Sequence, residues 1–503
     1  MPRPEIERWR WIALGLAALV PRAVGAVVRQ PWHDEYFTVW ASRLPLADLV
    51  NALRLDSGPP LPYVLVKLLS LLGLPALAAA RTIAVGASTA AVLLGAAAAR
   101  RAFGARAGWW TGALLAVHPL ALAWSCEGRA YALLLAAVAL GWERIESVAS
   151  GRGGTVGLAL AVALGCWSHA FGLILAATLG LAAFTLPPAR RRVALLAVAS
   201  GVASHLPWLP VAMAQPPAAT AWMAQAWRGV PIVEKALAPV RLLPLAAPFA
   251  DRLDLPGVPV GIQIAAGVLC LALLFAAGKA PRPWLLFALP AVGLGCLAAL
   301  GVPAFYGGRG EALFLLPFLG LLGSAAGRTA TAGKAAGLLA VAGAVVVMLT
   351  VWEWGHRPPS GEARMAAAIG GALPRGGTVV VGGYWQLGLR YHLRAQTGRF
   401  RFVNYPAAAA THPGWYDTGA TPPERGELER LLPGLGRRPP QTAVVVDPGL
   451  ATAADLLALA RTLGLQPAIA VPGGQLYLPP PDRLSPGPKL GGRDLAAPER
   501  PRR

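Results

Sequence analysis

Apolar residues in this chain come in unbroken runs, not in the alternation of a half-buried strand. Runs at 11–28, 82–99, 108–124, 131–142, 155–167, 171–186, 193–206, 260–277, 284–300, 312–326 and 337–352 are rich in Ala, Leu and Val. The longer ones approach the roughly 20 residues that a helix needs to cross a bilayer. Continuous runs of this kind exclude a transmembrane β-barrel, whose strands alternate. The pattern predicts a polytopic α-helical membrane protein, a bundle of about 11 transmembrane helices. Residues 11–28 lack a small-residue cleavage pattern, so the first run is read as a span. Pro21 and Arg22 interrupt it, which implies a kink and an arginine turned toward protein.

The polar positions between the runs set the topology. Basic residues cluster at 3–10, 100–106, 144–152, 190–192, 279–282 and 328–334. Short basic loops mark the cytoplasmic side, so the N-terminus is placed there. One further apolar run, 61–80, breaks the scheme if it crosses, because the arginines at 100–106 would then fall outside. Residues 61–74 are therefore read as an interfacial or re-entrant helix, with Lys67 in its middle and Gly73 and Pro75 at its end. Asp34, Glu35, Asp56, Glu127, His169 and Arg309 then all fall on the outer side. A short surface helix is expected at 34–44. A long outer loop at 211–258 is expected to hold an amphipathic helix at 233–243.

The pattern changes after Trp354. Helices are expected at 362–373, 384–393, 424–432 and 453–463, and strands at 378–381, 442–446, 467–471 and 475–478. Alternation of this kind argues for a small α/β domain on the outer side. Val379-Val380-Val381-Gly382-Gly383 lacks the GxGxxG spacing of a dinucleotide turn and is read as a strand and a turn. The expected division is a membrane domain at 1–355, an extracytoplasmic α/β domain at 356–480 and a disordered tail at 481–503.

Composition agrees. Of 503 residues 55% are hydrophobic and 14% charged, against about 25% charged in soluble proteins, and mean hydropathy is +0.53. The net charge of +21 follows from the basic inner loops and does not call for a nucleic-acid partner. Cys126, Cys166, Cys270 and Cys296 show no paired spacing and read as small packing residues.

The outer motifs, taken together, resemble those of GT-C-fold glycosyltransferases. The likeness is to the bacterial members related to protein O-mannosyltransferases and to the aminoarabinose transferases that modify lipid A. His33-Asp34-Glu35 resembles their acidic first-loop motif. Asp56-Ser57-Gly58-Pro59-Pro60-Leu61-Pro62-Tyr63 is similar to their Asp-Ser-His-Pro-Pro-Leu-Tyr-Tyr, with Gly58 and Pro62 in place of His and Tyr. Glu127-Gly128-Arg129-Ala130-Tyr131 resembles a Glu-Ala-Arg-x-Tyr segment, His169-Ala170-Phe171-Gly172 a His-Tyr-Phe-Gly turn, and Leu206-Pro207-Trp208-Leu209-Pro210 a Pro-Trp loop. Arg309 stands where the family has Arg-Tyr before Leu-Pro-Phe; here Gly310-Glu311 follows.

The resemblance implies transfer of a sugar from a polyprenyl-phosphate donor to a lipid, glycan or protein acceptor, outside a bacterial cytoplasmic membrane. Such a reaction needs a base for the acceptor hydroxyl and a cation or metal for the departing phosphate. Asp34 is the candidate base, its pKa expected to rise at a partly desolvated membrane edge. Glu35 is a second catalytic candidate, as an acceptor contact or a ligand. The alternative for both is capping of the surface helix that starts there. Glu127 and Arg129 stand beside the donor or form a local ion pair. Arg309 binds the lipid phosphate or snorkels to headgroups, and Lys67 is read the same way. His169 either contacts substrate or satisfies its own turn. Asp56 and Tyr131 complete the substrate-binding candidates. Many tryptophans near run ends are anchors among membrane lipids. The residues leave a divalent metal open as cofactor.

Two other classes fit many spans: a transporter or flippase for a lipid-linked sugar, and a non-catalytic assembly subunit. A transporter predicts an internal repeat and ionisable groups near the midplane; no repeat is visible, and the acids lie at run ends. The topology is testable by cysteine labelling. Arg101→Cys is expected to stay protected from an impermeant thiol reagent in intact cells, and labelling there would undo the interfacial reading of 61–74.

Overall fold

The computed structural model describes residues 4–216, 227–232, 259–300, 302, 308–383, 385–396, 398–410, 423–436 and 441–483. The amphipathic helix expected at 233–243 lies outside these residues, as do Phe305 to Gly307 of the sixth motif and 484–503 of the expected tail. The chain divides into two compact units, Met1–Pro358 and Pro359–Arg503.

All eleven runs expected to cross are helical. The first unit begins with α1 (Pro4–Val28), followed by three short helices, α2 (His33–Arg43), α3 (Leu46–Arg54) and α4 (Leu61–Leu71). Next come α5 (Ala76–Phe103), α6 (Ala105–Ala116), α7 (Pro119–Ser125) and α8 (Tyr131–Ala149). The run expected as one span at 108–124 is thus two helices. Pro119 has no N–H to give and disfavours helical geometry in the residue before it, and His118 is extended, with φ −77° and ψ 123°. Then follow α9 (Thr155–Ser168), α10 (Gly172–Ala183), α11 (Pro188–Ala203), α12 (Leu209–Met213), α13 (Val260–Phe275), α14 (Pro281–Ala299), α15 (Leu315–Arg328) and α16 (Ala330–His356).

Among the described residues, five helical segments are long and apolar enough to cross a membrane by themselves: α1, α5, α11 with α12, α14 and α16. Their outward faces carry Leu16, Val27, Val292, Val341 and Met348 exposed, as lipid-facing residues require. α5 packs along α8 and α6, and α15 packs on α6, so these four make the interior. Arg22 faces protein: fully buried, it donates to Ser88 Oγ and to the carbonyls of Ala18, Leu115 and Ala116. α4 is 11 residues long, or about 16 Å, roughly half the hydrocarbon thickness.

The charges of this unit separate to two ends of the bundle. At one end Arg100 pairs with Glu7, Arg101 and Arg144 with Glu143, and Arg282 with Glu146. At the other, Arg81 pairs with Glu35 and Arg29 with Glu127. α5 carries Arg81 near its start and Arg100 at its finish, so it joins the two ends and α4 does not.

The second unit is an α/β domain. Its helices are α17 (Gly361–Ala372), α18 (Trp385–His392), α19 (Glu427–Gly436) and α20 (Ala453–Thr462). Its strands are β1 (Gly377–Gly382), β2 (Phe400–Tyr405), β3 (Thr442–Val446), β4 (Gln466–Val471) and β5 (Gly474–Leu478). The sheet order is β2-β1-β3-β5-β4, with β1 parallel to β2 and β3, and β5 antiparallel to β3 and β4. Val379 and Val381 point into a core with Met365, Ile369 and Leu389; Val380 points to the opposite core with Leu456 and Leu459. β2 was not expected, because Arg401 and Asn404 interrupt its apolar positions.

Candidate active site

The end of the bundle that holds Glu35 and Glu127 also holds a cavity of about 210 Å3. It lies among the start of α4, the α7–α8 turn, the α9–α10 turn and Arg309. Asp56, Arg129, Tyr131, His169 and Arg309 line it, together with Tyr63 and Phe171. These residues are up to 253 positions apart in sequence (56 to 309), and helix ends bring them together.

Asp34 joins them through its charge. Its Oδ2 lies 3.6 Å from Arg129 Nε and 4.0 Å from Arg309 Nη2, with the Asp34 side chain 22% exposed. Arg129 also donates to Tyr63 Oη at 3.4 Å, and that hydroxyl donates to Asp56 Oδ2 at 3.5 Å. A chain of polar contacts thus runs from Asp34 to Asp56. Burial pushes the Tyr63 hydroxyl above its ordinary pKa, so it stays a phenol. For Asp34 the structure corrects the sequence. Burial does push its carboxyl up, but the fields of Arg129, Arg309 and His33 outweigh it, and the pKa falls below the ordinary value. The first residue of α2 is preceded by Trp32, which makes no side-chain cap, so capping does not explain the acids beside it.

Glu35 turns the other way. It is fully buried, and Arg81 grips both its oxygens at 2.8 Å while the Gly128 N–H donates to Oε1 at 2.9 Å. Arg81 further donates to the carbonyls of Ala26 and Arg29. Gly128 must be glycine for this: a Cβ there would lie 2.7 Å from Ala80 Cβ. Glu127, 3% exposed, pairs with Arg29 at 3.1 Å. Burial pushes its carboxyl up, against the field of Arg29. Neither Glu35 nor Glu127 lines the cavity. Lys67 does not line it either; it donates to Leu44 O at 2.8 Å and ties α4 to the end of α2.

His169 serves its turn and the cavity together. Its Nδ1 accepts from Phe171 N at 3.2 Å, and its ring meets Tyr131 at 5.5 Å and Phe171 at 4.7 Å. Burial, with Arg309 and Arg129 nearby, pushes its pKa down to about 3, so it is a neutral imidazole. Its Nε2 then carries the proton. Among the described residues, no three His, Cys, Asp or Glu side chains cluster closely enough to hold a metal ion.

Sequence reading missed Arg29 and Arg81, which hold the acids. Their signal was an arginine adjoining an apolar run, which implies a buried partner. It also passed over Glu311, fully buried two residues after Arg309, with neither oxygen in hydrogen-bonding geometry with a partner among the described residues.

No protein-family model matches the chain, and no curated protein matches it. Solved structures do. The crystal structure of ArnT from Cupriavidus metallidurans bound to undecaprenyl phosphate superposes with a TM-score of 0.58 at 18% identity, over 95% of this chain and 99% of that one. The fold is that of ArnT. The apo state of the same protein gives 0.50 at 18% identity with the same coverage. This chain and ArnT therefore share a fold along nearly their whole lengths.

Two outcomes follow from the buried charges. Arg81→Ala strands the Glu35 carboxylate and is expected to cost about 3–5 kcal/mol of stability; a thermal midpoint equal to wild type in detergent would show the pair to be idle. Glu311 has a carboxyl pushed up by burial to about 8, against a weaker pull from its own backbone N–H. The folded state therefore keeps a proton that the unfolded chain gives up from about pH 4.5. Stability falls as pH rises from there to about 8, then levels. Glu311→Gln is expected to flatten that fall between pH 5 and 8.5, and an unchanged slope would contradict it.

Proposed function

We propose that the chain is a membrane glycosyltransferase that moves a sugar from a polyprenyl-phosphate-linked donor to an acceptor hydroxyl on the outer side of the cytoplasmic membrane. The observation that carries this reading is the carboxylate of Asp34 beside Arg129 and Arg309, two arginines that line a cavity at one end of an apolar bundle. A base beside two fixed cations is what attack by a hydroxyl and departure of a phosphate require. The structural likeness to ArnT, crystallised with undecaprenyl phosphate, supports a lipid-linked donor.

In the reaction the acceptor oxygen bonds to the anomeric carbon, and its proton passes to Asp34. The bond from that carbon to the phosphate oxygen breaks, and the phosphate leaves with the electron pair against Arg309. The resting Asp34 is too well stabilised by its arginines to be a strong base. A donor phosphate draws on the same guanidinium groups, lowers their hold on Asp34 and raises its proton affinity. Base strength thus arrives with the donor. Glu35, Arg81, Glu127 and Arg29 are positioning residues that hold the turns carrying Asp34 and Arg129. Asp56 and the Tyr131–His169–Phe171 rings give the cavity polar and aromatic walls suited to a sugar.

Asp34→Asn is expected to lower kcat by about 100-fold or more with the fold intact. Arg309→Gln is expected to act mainly on the donor KM, raising it by about tenfold or more. The check is transfer from a panel of polyprenyl-phosphate sugars in detergent; turnover by Asp34→Asn at the wild-type rate would remove Asp34 as the base.

A further inference from the structure

The α/β unit has a cleft of its own. Three stretches at the amino ends of β1, β2 and β3 (375–378, 398–401 and 441–442), with 434–435 at the end of α19, enclose about 500 Å3. That volume suits a small ligand. Three arginines rim it, Arg375, Arg399 and Arg401, and all three side chains are exposed. No hydrogen bond or ion pair from any of the three guanidinium groups exists among the described residues.

The backbone gathers these arginines. Gly376 has φ +88°, and a Cβ there would lie 2.1 Å from Arg399 O; a Cβ on Gly377 would lie 2.1 Å from Gln441 O. Only glycines let the three strand starts close up in this way. Gly377 N donates to Arg399 O at 2.9 Å, which fixes Arg375 and Arg399 on neighbouring chains. The acids of the unit do not answer them. Asp455 accepts from Tyr405 Oη at the carboxyl end of β2. Asp447 accepts from Trp385 Nε1 and Gly449 N just past β3. Glu427 accepts from Ala407 N. Asp447, Asp455 and Glu427 thus serve the carboxyl-end side of the parallel strands, and Arg375, Arg399 and Arg401 stand at the amino ends.

We propose that this cleft binds a phosphate-bearing ligand, held by the forks of Arg375, Arg399 and Arg401. Guanidinium groups match phosphate oxygens two at a time, and a polar cleft with three of them favours a multiply charged anion over a neutral sugar. The phosphate comes from a soluble sugar phosphate or from an anionic lipid headgroup. The inference does not rest on the transfer reaction and stands if that reading fails.

The test uses the full chain carrying Arg309→Gln, which weakens the anion contact in the bundle. Inorganic pyrophosphate is titrated by calorimetry into protein in nanodiscs of phosphatidylcholine and, separately, of phosphatidylglycerol. The expected result is saturable binding in phosphatidylcholine that weakens with salt and falls at least tenfold when Arg375→Gln, Arg399→Gln and Arg401→Gln are combined. Weaker binding in phosphatidylglycerol assigns the cleft to headgroups, and equal binding assigns it to soluble phosphates. No saturable binding, or the same affinity in the triple variant, overturns the proposal.

Discussion

A carboxylate shut off from water must be met by a cation, and Glu35 is met by Arg81 on both of its oxygens. Much of this end of the bundle hangs on that grip. Arg81 starts α5, Glu35 lies in the first turn of α2, and the carbonyls of Ala26 and Arg29 at the end of α1 accept from the same guanidinium. Gly128 adds the turn before α8. One ion pair thus fixes four segments, and the neighbouring pair of Arg29 and Glu127 fixes the α7–α8 turn to α1. The side chains left facing the cavity are aimed by this frame, so Asp34 and Arg129 approach each other without being locked together.

That looseness distinguishes the site from its support. The supporting pairs are short and buried, which makes them rigid. The contacts of Asp34 are 3.6 and 4.0 Å and partly exposed, which makes them exchangeable. An anion arriving at the arginines meets groups whose contacts with Asp34 are long. The neutral His169 and the protonated Tyr63 add hydrogen-bonding groups without adding charge.

The architecture was legible because solvent dictates it: a chain that enters a bilayer must write long apolar runs, and basic loops record which ends stay together. That is why 61–74 was read as too poorly placed to cross, and why Asp34, Asp56, Arg129, Tyr131, His169 and Arg309 were expected together; they lie in or beside one cavity. Roles were less legible. Asp34 and Glu35 are adjacent in sequence, but neighbours on a helix point about 100° apart, so one meets the arginines that line the cavity and the other meets Arg81 in the interior. Hydropathy shows that a charge is near a membrane and not what it touches. Of the two readings open for Glu127, the local ion pair is the one seen; Lys67 holds Leu44 O, Arg29 and Arg81 were overlooked, and the pKa of Asp34 was read from burial before its two arginines were known. The break at Pro119 and strand β2 were hidden by composition: an apolar stretch through the proline in one case, an arginine and an asparagine inside a strand in the other.

The central claim is that Arg129 and Arg309 receive a phosphate in front of Asp34. A cryo-electron microscopy structure of the chain in nanodiscs with undecaprenyl phosphate tests it most directly. The account predicts phosphate density within about 3 Å of both guanidinium groups, with Asp34 still on the cavity wall. Density for the phosphate elsewhere, with Asp34 and the two arginines unchanged, would contradict it.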